Sequence, residues 1–151
     1  MENKEIILSI KQAKNLTDLG ADMSDATIVS YLKENETTHK EEIITTLTSE
    51  FAKSSNTHLH HVYRYTLEEI LEKLPNSIEN YNLFMDKNDR VVYYADDFYT
   101  DDDQCLIFKE GKSLLEAAYE VYCWYLENLA SLTIRQQAFM ERMRSAFPPF
   151  S

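Results

Sequence analysis

Two helix-start signatures, Thr66-Leu67-Glu68-Glu69 and Ser113-Leu114-Leu115-Glu116, bracket the stretch that most constrains this chain. In each, a hydroxyl can accept the N–H three residues on, while the glutamate reaches back to an orphan N–H. The first helix carries Leu67, Ile70, Leu71 and Leu74 on one face. Pro75 ends it, because the residue before a proline is pushed out of the α region. The second runs to about Asn128. Leu115, Ala118, Tyr122, Tyr125 and Leu129 make its main stripe, broadened by Leu114, Ala117, Val121 and Trp124. A helix this apolar is expected to be buried against a sheet.

Between the two helices lie three strand patterns: Tyr81 to Met85, Arg90 to Ala95, and Cys105 to Lys109. A polar turn, Asp86 to Asp89, and an acidic segment, Asp96 to Asp103, separate them. Such short connections favour an antiparallel meander. Val91-Val92-Tyr93-Tyr94 has apolar bulk on both faces, as a central covered strand would.

Upstream, Ile10, Ala13, Leu16 and Leu19 fall at helical spacing, with Ser9 as cap and Gly20 as stop. Ile6-Ile7-Leu8 reads as a short strand or an extra helical turn. Residues 26–48 hold two β-branched runs around a polar centre, which favours a hairpin over a pair of helices. Residues 54–57 read as a polar connection. A last amphipathic helix is expected from about Thr133 to Ser145, before the helix-incompatible Phe147-Pro148-Pro149-Phe150. The expected fold class is α+β: an antiparallel meander of three or more strands packed by helices, with an additional C-terminal helix. Residues 1–151 read as one domain, with 131–151 as a docking or dimerisation extension.

Composition narrows the function. The formal net charge is −11, so polyanions and anionic membrane surfaces are repelled on average. Gly20 and Gly111 are the only glycines, too few for a phosphate-cradling loop. Two cysteines make no disulfide framework. Met1-Glu2-Asn3-Lys4-Glu5 lacks the basic and apolar regions of a signal peptide, so the cytoplasm is the expected compartment.

Three constellations bear on chemistry. Asp97, Asp101 and Asp103 sit in the acidic segment and are candidate oxygen ligands for Ca²⁺. The EF-hand pattern is absent, and a solvated loop accounts for the same residues. His58 and His60 share a face if extended and could offer two imidazoles to Zn²⁺, but His39, Cys105 or Cys123 would have to supply the rest and no recognised spacing demands it. Cys105 and Cys123 lack an evident base, and Cys123, between Tyr122 and Trp124, is expected to be a buried inert thiol. No metal, cofactor or catalytic set is therefore assigned. The C-terminal segment differs: Arg135, Arg142 and Arg144 face only Glu141, among Ile134, Phe139, Met140, Met143, Phe147 and Phe150. Ile134, Arg135, Phe139, Met140, Arg142, Met143 and Phe147 are the candidate interaction residues.

Lys11-Gln12-Ala13-Lys14 with Gly20, Tyr65 to Leu71 with Leu74-Pro75, and Ser113 to Glu120 with Cys123-Trp124 together resemble a family of small proteins. That family is encoded in Bacteroides-type gut bacteria, often in phage-derived or mobile regions, and has no established activity. The resemblance spans about residues 11–128 and implies a shared fold, with no functional residue to carry over. Residues 132–151 and the segment from Ala26 to His61 depart from the pattern.

The expected function is a non-enzymatic interaction domain that binds a protein partner or itself, with no direct nucleic-acid or membrane contact. Two alternatives are an acidic decoy for a nucleic-acid-binding or host-defence protein, resting on a charge of −9 between His61 and Ala130, and a Ca²⁺- or Zn²⁺-binding domain.

Overall fold

The computed structural model describes residues 6–96 and 105–146. The fold is α+β; among the described residues there are two antiparallel sheets of three and four strands and five helices, the last a C-terminal helix. The chain divides into two compact units, Met1–Glu72 and Lys73–Ser151.

The first unit opens with α1 (Ile10–Asp18). Ser9 caps it: Oγ accepts the Gln12 N–H, and Gln12 Oε1 accepts the Ser9 N–H. This is a capping box that uses glutamine. Gly20, at φ 102°, ends the helix in a backbone region that side chains disfavour. Ile7 forms an isolated bridge to Thr66, so the segment before α1 is extended.

β1 (Ile28–Glu34) and β2 (Glu41–Leu47) form the hairpin that the β-branched runs specify. Asn35 builds the turn: its Oδ1 accepts the N–H groups of Thr37 and Thr38, while its Nδ2 donates to Glu42. β3 (His61–Arg64) pairs with the other side of β1, giving the order β2-β1-β3. Strand alternation puts Val29, Tyr31, His61 and Tyr63 on one face. There α2 (Thr48–Lys53) inserts buried Phe51 against Tyr31 at 5.2 Å and His61 at 4.9 Å. The opposite face carries a polar line, because Arg64 donates to Ser30 Oγ and Ser30 bonds Thr45 at 2.7 Å.

α3 (Leu67–Lys73) begins at the expected capping box, with Thr66 N–H to Glu69 Oε1 at 2.8 Å and Glu69 N–H to Thr66 Oγ1 at 3.2 Å. Its other carboxylate oxygen accepts from the Thr27 N–H and hydroxyl. Tyr65, fully buried, donates to Asp25 Oδ1 at 2.6 Å.

The second unit holds the meander β4 (Ser77–Ile78), β5 (Tyr81–Asp86), β6 (Val91–Ala95) and β7 (Cys105–Glu110), paired in that order. β6 is central and buried on both faces, at Val92 and Tyr94 on one and Val91 and Ala95 on the other. α4 (Leu114–Glu127) packs on β6 and β7. Leu115, Ala117, Ala118, Val121 and Tyr122 are its buried residues. Cys123 is only half-buried, which corrects the expectation of a fully buried thiol, because the helix turns its Val121–Tyr122 face inward. Ser113 Oγ accepts the Glu116 N–H as expected, but Glu116 reaches the Lys112 N–H instead of the cap residue.

Gly111 permits the tight entry into α4. A Cβ there would lie 2.7 Å from the Ala117 nitrogen and 2.9 Å from the Ser113 oxygen, both backbone atoms. Gly111→Ala is expected to destabilise the fold by about 1–3 kcal/mol in denaturant titrations. A second expectation concerns alkali. Burial, with Tyr125 nearby, pushes the Tyr94 hydroxyl above the usual tyrosine range. Above a pH of about 10 the unfolded chain loses this proton while the folded one keeps it. Stability should then fall by about 1.4 kcal/mol per pH unit for this group. Tyr94→Phe should flatten that alkaline limb.

Candidate interaction surface on the last helix

α5 (Leu129–Ala146) starts directly after α4, four residues before the expected Thr133. Asn128 makes the junction: its N–H and Nδ2 both donate to the Trp124 carbonyl, and its own carbonyl accepts the Leu132 N–H. The sequence pattern had little to mark here, since Leu132 is the one residue of α5 that is buried.

A clamp fixes the first half of α5 to the β4–β5 turn. Glu79 sits at φ 54°, in the left-handed region that costs a side-chain-bearing residue about 1–2 kcal/mol. Its N–H donates to Gln136 Oε1 at 2.6 Å. Its carboxylate, 12% exposed, lies 2.8 Å from Arg135 Nη2. That contact is an ion pair without an aligned hydrogen bond to Oε1. Arg135 is thus engaged inside its own unit. The sequence could not have exposed this pair, which joins residues 56 positions apart in a turn with no glycine to announce it.

Past the clamp the helix is bare. Met140 is 49% and Met143 42% exposed, and Arg142 and Arg144 are exposed too. Phe139 is half-buried, with the Arg142 guanidinium 6.0 Å from its ring centre. At about 100° per residue, Leu129, Leu132, Gln136, Met140 and Met143 fall within one narrow arc of α5. A cleft of about 310 Å³ opens on that arc, lined by Pro75, Ile78, Tyr125, Leu129, Leu132 and Gln136 among others. Ile134, 68% exposed, lies about 180° around the helix from Met143. The structure therefore brings Met140 and Met143 onto the cleft face and leaves Ile134 off it. Phe147 lies outside the described residues.

The other sequence candidates are dispersed or out of view. Asp97, Asp101 and Asp103 lie outside the described residues. His61 Nδ1 donates to the Leu59 carbonyl at 2.8 Å, and its ring lies tilted against Phe51 and edge-on to Tyr63. His58 and His60 are exposed, and His39 pairs with Glu34 at 3.3 Å. Among the described residues, no three His, Cys, Asp or Glu side chains gather closely enough to hold an ion. Cys105 and Cys123 form no disulfide. No described helix is long and apolar enough to cross a membrane.

No protein-family model matches the chain, and neither the curated proteins nor the solved structures include a significant match.

The clamp can be tested by removal. Arg135→Ala should lower stability by about 1–2 kcal/mol, since it strands a mostly buried carboxylate that still has some access to water. Hydrogen exchange in α5 should accelerate while β6 keeps its protection. Combined with Glu79→Ala, the two losses should fall well short of additive.

Proposed function

We propose that this chain is a non-enzymatic protein-interaction domain whose last helix docks on a partner protein. One observation carries the reading: the cleft beside Leu129 and Leu132 opens on the helix face that also bears exposed Met140 and Met143. An apolar side chain of a partner fits the cleft, and methionines adapt their shape to the remainder. Methionine is suited to this because its unbranched, polarisable side chain repacks at little cost.

Charge indicates the partner's chemistry. Residues 129–151 carry Arg135, Arg142 and Arg144 against Glu141, a net +2 on a chain of net −11. With Arg135 held by Glu79, Arg142 and Arg144 remain at the surface. The occupant is an apolar segment flanked by acidic residues, steered by these arginines.

The test pairs two variants. Met140→Glu with Met143→Glu places charge on the docking face, at positions exposed enough to leave folding intact. Ile134→Glu alters an equally exposed residue on the far side. A partner isolated on the wild-type chain should bind the first variant at least about tenfold more weakly, ~1.4 kcal/mol. It should bind the Ile134 variant normally, and added salt should weaken the wild-type complex. Equal affinity for all three proteins would remove the basis of the reading.

A further inference from the structure

The outer edge of β2 carries a second surface, independent of α5. In the order β2-β1-β3, β2 has a strand on one side only among the described residues. An edge strand presents a row of backbone N–H and C=O groups able to pair with another chain. Folded proteins guard such edges with lysine, proline, bulges or short length. β3, at the opposite edge, is four residues long. β2 is seven residues long, its register with β1 has no bulge, and Ile43 to Leu47 contains neither charge nor proline.

The side chains add a pattern. Ile43 is 62% and Leu47 47% exposed, on the face opposite Phe51, with Thr45 between them. Two apolar residues placed symmetrically about a threonine are self-complementary. We propose that this edge pairs antiparallel with the same edge of a second copy, about a two-fold axis through Thr45. Ile43 of each copy then lies opposite Leu47 of the other, and the two Thr45 residues face each other. In an isologous contact each unlike pair occurs twice, so both apolar pairs form together.

Charge selects this register over its neighbours. In-register parallel pairing would set Glu41 and Glu42 against their own copies, and like charges directly opposite destabilise a ladder. An axis through Ile44 would set Leu47 against Glu41. The axis through Thr45 carries Glu42 and Glu41 past Leu47 of the second copy, where its ladder ends and α2 opens with Thr48 and Ser49. In this register neither glutamate is set against a carboxylate of β2 or an apolar side chain. A two-strand contact with four apolar side chains is at the small end of specific interfaces, so the dimer is concentration-dependent.

Sedimentation equilibrium on the full chain tests this. A monomer–dimer equilibrium is expected, with Ile43→Lys raising the dissociation constant at least about tenfold. Met140→Glu with Met143→Glu should leave it unchanged, which separates this contact from the α5 reading. Directly opposed residues in an antiparallel ladder have Cα atoms about 4.5–5.5 Å apart, within disulfide reach. Thr45→Cys should therefore cross-link to itself under mild oxidation, while Thr37→Cys at the hairpin tip should not exceed the wild-type background. A strictly monomeric chain overturns the proposal and leaves the edge to a strand of another protein. A dimer indifferent to Ile43→Lys, or lost with the α5 variant, overturns it as well.

Discussion

The buried hydroxyl of Tyr94 imposes a requirement on the second unit. Tyr94 sits in β6 with no exposure to water, its ring 6.5 Å from Trp124 of α4. A hydroxyl so placed needs an internal partner, since an unmet polar group costs about 1–3 kcal/mol. It donates to the Pro75 carbonyl at 2.6 Å. That bond fixes the chain just before β4, and so the turn at Glu79. Glu79 then holds Gln136 and Arg135 of α5. A requirement in the core is thereby passed, bond by bond, to the orientation of a surface helix.

The orientation matters because α5 has little else to decide it. Only Leu132 is buried, and the apolar residues of the helix are spread around its circumference. With Gln136 turned to Glu79, the Leu129–Met143 arc faces the cleft and Ile134 faces away. The clamp thus divides a diffusely apolar helix into a face beside the cleft and a face turned away from it.

Three hairpin turns show how a chain poor in glycine still reverses direction. His39, Glu79 and Arg90 take positive φ in place of glycine. Asn35 and Asp86 lie upstream of His39 and Arg90, and their side chains cap two backbone N–H groups each. Asx turns of this kind hold the tight backbone through side-chain hydrogen bonds. Glu79 has no such local cap, and its support comes from α5. Local chemistry thus closes two turns, and a tertiary contact closes the third.

Local chemistry in the sequence determined the capping box at Thr66, the Ser113 cap, the Pro75 stop, the β1–β2 hairpin and the strands β5, β6 and β7. Each rests on interactions spanning a few residues or on the alternation of side chains along a strand. β3 and β4 escaped notice because four and two residues carry too little periodicity, and pairing with β1 and β5 defines them. The candidate surface was legible only as composition: methionines and arginines late in the chain. Which of them share a face depended on Glu79 meeting Arg135 across 56 residues, and the exposure of Ile43 and Leu47 depended on β2 taking the edge of its sheet. Contacts between distant residues leave no periodic trace along a chain, so the tertiary structure alone could decide them.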